Sequence, residues 1–173
     1  MNHWYMLTLT GTDRPGIVAR VTQALFEQGM NLGEASMLRL GGNFTIMMMV
    51  SGEQEADAVE AALQPVAREL GLSLHVDPMD GGLHRHVVPN LMVRVSGADR
   101  AGIVARVTGV LAENGFNILD LESDVAGTAE RPVYLMQIAG ISTQPLEELE
   151  AALAPLREEE IEVSLSPVET LVG

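Results

Sequence analysis

The chain contains a twelve-residue motif twice, with ten of the twelve positions identical. Residues 11–22 read GTDRPGIVARVT and residues 97–108 read GADRAGIVARVT, an offset of 86 residues. A second match, between EAALQP at residues 60–65 and EAALAP at residues 150–155, has an offset of 90, so the second copy carries a short insertion, most naturally near residues 127–131. A period of 86 residues is too long for a solenoid repeat and matches a small domain that buries its own core. Fold and function are therefore interpreted once for each copy.

The first strand and the first helix are predicted from the spacing of apolar residues. Apolar residues two apart predict a half-buried strand in each copy, at Tyr5, Leu7, Leu9 and at Leu91, Val93 and Val95. Helical spacing follows the motif, at Ile17, Val21, Ala24, Leu25 and at Ile103, Val107, Val110 and Leu111. Gly29 and Gly115 are predicted to end these helices in the left-handed conformation that glycine adopts most easily.

Two further strands are predicted after each helix. The second strand begins at Asn31 in the first copy and at Asn117 in the second. Glycines at 41–42 predict a tight hairpin turn into a third strand at residues 44–50. The second copy is predicted to reach its third strand, residues 133–139, through a longer loop.

Each copy is predicted to finish with a helix and a strand. The apolar side of the helix comprises Ala56, Val59, Leu63, Val66, Ala67 and Leu70 in the first copy, and Leu149, Ala152, Leu153 and Leu156 in the second. Pro65 and Pro155 lie inside these patterns and are predicted to kink or break the helices. The last strands alternate at Leu72, Leu74, Val76 and at Ile161, Val163 and Leu165.

The predicted fold is therefore α+β, with the order strand, helix, strand, strand, helix, strand occurring twice. This order is the ferredoxin-like βαββαβ arrangement, a four-stranded antiparallel sheet with two helices on one face. The predicted domains are residues 1–78 and 88–173. Residues 79–87 have no periodicity and are predicted to form a linker.

The predicted sheet also indicates association. The apolar run at residues 46–50 favours a central strand that is buried on the helix side. Met6, Ile46 and Met48 are also predicted to share the opposite face, which suggests that this face is covered by the sister domain or by another subunit. The second strand of a βαββαβ sheet lies at an edge, and an exposed edge favours pairing with a like edge. The sequence thus predicts a homo-oligomer or a pairing of the two domains.

Composition excludes several classes of function. The 173 residues contain neither cysteine nor lysine, which removes disulfides, thiol nucleophiles and Schiff-base chemistry. A formal net charge of −14 repels the phosphate backbone, so the sequence predicts no direct nucleic acid binding. The chain lacks a membrane-spanning apolar run and the basic start of a signal peptide, and we therefore expect a cytoplasmic protein without membrane contact.

The turn between the first strand and the first helix is the strongest candidate site. Backbone N–H groups at a helix start are unpaired donors, and the helix dipole adds positive potential. Gly16 and Gly102 let a ligand approach the main chain, so the turn favours a carboxylate. Asp13 and Asp99 could then bind an ammonium group, or could simply cap the helix.

Other polar residues give weaker signals. Asn31 and Asn117 could supply amide contacts from the second strand, although an asparagine at a strand start also has a purely structural explanation. His84 and His86 are spaced like metal ligands, but they lie in the linker without a third ligand, so no metal site is predicted. The sequence shows no Ser-His-Asp order, carboxylate pair or phosphate loop, so no catalytic residue and no cofactor is predicted either.

The motif Asp-Arg-x-Gly-Ile-Val-Ala, followed by Gly-x-Asn-(Leu/Ile) in a βαββαβ frame, resembles ACT domains, small regulatory modules that bind amino acids. The resemblance covers nearly the whole chain as two tandem copies. A pair of such domains with no room for a catalytic domain is most similar to the glycine cleavage system transcriptional repressor family. Similar motifs also occur in formyltetrahydrofolate deformylases and some phosphoserine phosphatases, from which this chain differs by its length.

The resemblance implies a site in each copy. The expected ligand-binding residues are Asp13, Arg14, Gly16, Ile17, Asn31 and Leu32, and their counterparts Asp99, Arg100, Gly102, Ile103, Asn117 and Ile118. Ala101 replaces Pro15 in the second copy, and the segment before Pro132 is longer there, so the two sites need not be equivalent.

Three functions follow as hypotheses. The first is a regulator that binds a small amino acid, with glycine as the candidate ligand, and so alters contact with a protein partner, with a transcription factor as the candidate. The second is a freestanding amino-acid-binding subunit that regulates a metabolic enzyme. The third is a small enzyme, which the scarcity of nucleophiles and metal ligands disfavours.

Overall fold

The computed structural model describes residues 2–80, 87–98 and 102–168. The chain divides into two compact units, Met1–His84 and Arg85–Gly173. The predicted linker falls mostly outside the described residues, as do His84 and His86, and the predicted domain bounds stay a prediction. Among the described residues, no helix combines the length and the apolar character needed to cross a membrane.

Each unit contains the predicted order of elements. Unit 1 comprises β1 (His3–Thr12), α1 (Ile17–Glu27), β2 (Asn31–Leu40), β3 (Asn43–Gly52), α2 (Ala56–Leu70) and β4 (Leu72–Met79). Unit 2 comprises β5 (Leu91–Ala98), α3 (Ile103–Glu113), β6 (Phe116–Thr128), β7 (Arg131–Ser142), α4 (Leu146–Leu153), a 3₁₀ helix (Ala154–Glu159) and β8 (Ile161–Pro167). The antiparallel sheets have the orders β2-β3-β1-β4 and β6-β7-β5-β8. The predicted ferredoxin-like fold is confirmed, with β2 and β6 at sheet edges.

Each unit has its own hydrophobic core between the sheet and its helices. In unit 1 the buried residues of α1 and α2, such as Val21 and Leu63, form one cluster with Leu7 and Leu9 of β1. In unit 2 a separate cluster includes Val107, Leu149 and Val93. The glycines after α1 and α3 have φ angles of 69° and 70°, which confirms their predicted left-handed conformation.

The methionine-rich strand is buried on the helix side as predicted, but the prediction that Ile46 and Met48 share the opposite face with Met6 is wrong. Ile46 pairs with Leu9, and Met48 pairs with Leu7, so both lie on the helix side and are buried in the core. Met6 lies on the opposite face, where its partner is Met49. The run at residues 46–50 is apolar on both faces and gives no period, so only the register with β1 decides which side chains point inward.

The insertion in unit 2 lengthens a hairpin, and the predicted longer loop is wrong. Pairing of β6 with β7 continues to Thr128 and Arg131, so residues 129–130 alone form the turn. In unit 1 the corresponding pairing ends at Leu40 and Asn43. The inserted residues therefore extend both strands of the hairpin. Because the insertion is even in number, every side chain stays on its original face of the sheet.

The two prolines have different outcomes. Helix α2 continues through Pro65, which lies on its exposed side, so the predicted break is absent there. In unit 2 the α-helix ends at Leu153 and a 3₁₀ helix containing Pro155 follows. Both segments contain an arginine in their last turn, Arg68 in α2 and Arg157 in the 3₁₀ helix, so the charge at the helix end does not account for the difference.

Candidate functional site

The turns before α1 and α3 leave the helix starts open. Gly16 and Gly102 are the N-cap residues, with φ angles of 89° and 95°, and no side chain caps either helix. A Cβ atom added at either glycine would meet no atom within 4 Å. The first helical bonds run from Arg20 N to Gly16 O and from Arg106 N to Gly102 O, each at 3.0 Å. The amides before them at each helix start therefore have no acceptor within the helix, as binding of an anion requires.

Asp13 does not cap the helix, contrary to the structural alternative drawn from the sequence. Its Oδ2 atom lies 2.6 Å from Nε of Arg39, at the end of β2, and its side chain is 22% exposed. The amide of Asp13 also donates to the Gly42 carbonyl at 3.0 Å. These contacts hold the turn against the β2–β3 hairpin and give the carboxylate a cationic neighbour.

Arg39 was missed by sequence reasoning. It lies far from the motif in sequence, and its approach depends on β2 running back to the end of the sheet where β1 stops. The equivalent position in unit 2 is Val125, since Arg39 pairs with Phe44 and Val125 pairs with Tyr134. A valine cannot form this ion pair, so the two turns differ in charge.

Arg14 contacts a neighbouring helix. Its Nη2 atom donates to the carbonyl oxygen of Leu70, the last residue of α2. The guanidinium group also lies beside Gly71, where an added Cβ would be 3.2 Å from Nη2. Arg14 therefore ties the turn to the C-terminal end of α2. Asp99 and Arg100, the counterparts in the second copy, lie outside the described residues.

The asparagines lie at the other end of each sheet. Asn31 pairs with Ser51, which pairs with Trp4 near the start of β1, whereas the Gly16 turn follows the end of β1 at Thr12. The eight residues from position 4 to position 12 correspond to about 26 Å of strand. Within unit 1, Asn31 therefore lies far from the turn at Gly16. The following residues in β2 and β6 differ in burial, since Leu32 is 48% exposed and Ile118 is half-buried.

The same separation holds in unit 2. Asn117 is exposed and pairs with Ile141, next to the pairing of Gly140 with Leu91 at the start of β5. The turn at Gly102 follows the opposite end of that strand. Ile17 and Ile103 are buried in the two cores, so only their main-chain amides are available to a ligand.

An apolar surface borders both edge strands. On the helix side of β2, Leu32 and Met37 are 48% and 54% exposed. On the helix side of β6, Leu121 and Val125 are 38% and 52% exposed. Exposed apolar side chains beside an unpaired strand edge are typical of a surface that another protein covers.

Comparison with known proteins supports the sequence resemblance. Two models of the ACT domain match residues 3–77 and 91–158. The glycine cleavage system transcriptional repressor of Escherichia coli (strain K12) is 29% identical over 122 residues, which are 70% of this chain. The match spans 64% of that relative, less than two thirds of its length.

Two solved structures share the whole two-domain chain. A protein from Galdieria sulphuraria of unknown function has a TM-score of 0.79 and 25% identity, covering 98% of this chain and 100% of its own. A protein provisionally assigned as a glycine cleavage system transcriptional repressor has a TM-score of 0.72 and 19% identity, covering 98% of this chain and 99% of its own. The second similarity shows the fold alone.

Proposed function

Because this chain belongs to the ACT domain family and carries the domain twice, we propose that it is an amino-acid-responsive regulator without catalytic activity of its own. The family and the repressor that the chain resembles point to a regulatory role. In our proposal, a small amino acid, with glycine as the first candidate, binds at the turns and alters contact with a transcription factor of glycine cleavage genes. The similarity to the glycine cleavage system transcriptional repressor of Escherichia coli supports this choice of pathway.

The open helix starts carry this proposal. Gly16 and Gly102 have the same left-handed conformation, the same uncapped helix and the same open space above the main chain. A carboxylate placed there accepts hydrogen bonds from the first amides of α1 or α3 and lies at the positive end of the helix dipole. Asp13, and Asp99 in the second copy, would receive the ammonium group.

A second chain would complete each pocket. Within a module, Asn31 and the Gly16 turn occupy opposite ends of the sheet. In an edge-to-edge pair related by two-fold symmetry the strands run antiparallel, so the Asn31 end of one module meets the turn of its partner. The exposed apolar residues along β2 and β6 are suited to such an edge. We therefore include a homodimer in the proposal.

A thermal-shift screen of the free amino acids tests ligand binding. We expect glycine or another small amino acid to raise Tm, because a ligand at 100 times its Kd stabilises the folded state by about 2.7 kcal/mol. Acetate and methylammonium, which carry one charge each, serve as controls and are expected to give smaller shifts. Failure of every amino acid to raise Tm would refute the ligand part of the proposal. Native co-purification then distinguishes a transcription factor from a metabolic enzyme as the partner.

Direct DNA binding is expected to be absent. Ten arginines against 24 carboxylates give a net charge of −14, which opposes approach to a phosphate backbone. In a gel-shift assay with duplex DNA from a glycine cleavage promoter, we expect no retardation at physiological salt, with or without glycine. Retardation by the purified protein alone, weakening as salt rises, would show that regulation does not need a protein partner.

A further inference from the structure

The sheet face opposite the helices in unit 2 contains an open groove of about 470 Å³. Two small side chains, Ser96 of β5 and Ser164 of β8, leave a depression between longer ones. The surrounding side chains are those of Arg94, Leu135, Gln137 and Glu162. The buried residues Val95, Met136 and Val163 point into the core, so they contribute main chain to the floor of the groove.

Opposite charges border this groove without pairing. Arg94 lies opposite Ser164, and Glu162 lies opposite Ser96, so the two charged residues are diagonal neighbours on adjacent strands. Diagonal neighbours have Cβ atoms about 7 Å apart, within reach of long side chains. Arg94 Nη1 instead donates to Ser166 Oγ at 3.2 Å, on the side away from Glu162. The ion pairs formed among the described residues do not include Arg94.

The surrounding charges select among possible ligands. Glu122 of β6 lies opposite Gln137, and Asp124 lies opposite Leu135, so acidic residues continue along this face beyond the groove. A simple anion that approaches Arg94 is repelled by these carboxylates. A molecule that carries both charges satisfies Arg94 and Glu162 together and adds no net charge to the face.

This charge pattern is specific to unit 2. The equivalents of Arg94 and Gln137 in unit 1 are Thr8 and Met47, which pair with each other. Ser73, which pairs with Thr10, occupies the position of Glu162. The open face of unit 1 thus lacks both charged groups at these positions, and the groove is not a general consequence of the fold.

We propose that the groove binds a small zwitterion, an amino acid or a related amino-carboxylate. The carboxylate contacts the Arg94 guanidinium, the ammonium group contacts the Glu162 carboxylate, and the hydroxyls of Ser96 and Ser164 offer further hydrogen bonds. This site lies on the sheet face opposite the helices, whereas Gly102 begins α3 on the helix side. It goes beyond the proposed function, because its existence does not depend on ligand binding at the turns.

Amide chemical shifts of the ¹⁵N-labelled full chain test the groove. Glycine, L-leucine and γ-aminobutyrate are titrated in turn, since they share the two charges and differ in size. We expect at least one of them to shift the amides of Ser96, Gln137 and Ser164. Arg94→Gln and Glu162→Gln should each weaken this binding about tenfold, the loss of one charge-assisted hydrogen bond.

Matched variants control for charge. Arg131→Gln and Glu147→Gln remove the same charges at exposed positions outside the groove and should leave the titration unchanged. The proposal fails if none of the three compounds shifts the groove amides, if acetate alone binds as tightly, or if Arg94→Gln and Glu162→Gln bind normally while still folded by circular dichroism. Amides of Ile17 and Ile103 report the turns separately, so failure of one site is distinguishable from failure of the other.

Discussion

Replacing Leu111 with alanine is expected to destabilise unit 2 by about 2–5 kcal/mol, the usual cost of removing a buried leucine side chain. Leu111 is fully buried in the core of unit 2, and its equivalent Leu25 is buried in the separate core of unit 1. Because each cluster is drawn from its own unit, we expect Leu111→Ala to leave the unfolding of unit 1 nearly unchanged. Leu25→Ala should have the reverse effect.

A single tryptophan makes this test selective. Trp4 is the only tryptophan of the chain and lies in β1, so its fluorescence reports unit 1, whereas far-ultraviolet circular dichroism reports both units. In urea, Leu111→Ala should split the circular dichroism transition, because unit 2 unfolds at a lower urea concentration than unit 1. The midpoint of the Trp4 fluorescence transition should not change. If Leu111→Ala destabilises unit 2 so far that it is unfolded without urea, Leu111→Val provides a smaller loss of stability. Equal displacement of the Trp4 transition by Leu111→Ala and Leu25→Ala would show that the two predicted domains do not unfold independently.

The order of elements was predictable because each is specified by nearby residues. Alternation at Leu7 and Leu9, and helical spacing at Ile17 and Val21, were sufficient to identify β1 and α1. The faces of β3 were not predictable in the same way, because the apolar run at residues 46–50 suits either side of a sheet. Its orientation comes from pairing with β1, a contact between residues distant in sequence.

The candidate site shows the same limit. The glycine at each helix start was predictable, because a turn that must expose its main chain favours a residue without Cβ. The role of Arg39 was not predictable from the sequence. Its contact with Asp13 depends on the end of β2 lying beside the turn after β1 in the folded sheet. The separation of Asn31 from the Gly16 turn also follows from strand direction. Residues that appear together in a motif can therefore lie at opposite ends of a module and serve different copies of a site.

Leucine substitution at the two glycines is expected to reduce amino acid binding at the turns by at least about tenfold, since it covers the amides that receive the carboxylate. The positive φ angles of 89° and 95° complicate the experiment. Any side chain in this conformation costs roughly 1–2 kcal/mol. Alanine substitution is the matched control, because Gly16→Ala and Gly102→Ala carry the same backbone strain but add a single methyl group into open space.

The affinity difference between the leucine and alanine variants therefore isolates the blocking of the turn from the strain. Calorimetry in an Arg94→Gln background removes any contribution from the groove, and circular dichroism verifies folding. Gly16→Leu and Gly102→Leu should each remove one turn site per chain, and the double variant should remove both. Asp13→Ala should weaken ammonium binding in unit 1, with Arg39→Val as the variant that tests whether the ion pair competes with the ligand. If the leucine variants bind as tightly as the alanine variants, the glycines serve only to form the turn, and the amino acid must bind elsewhere.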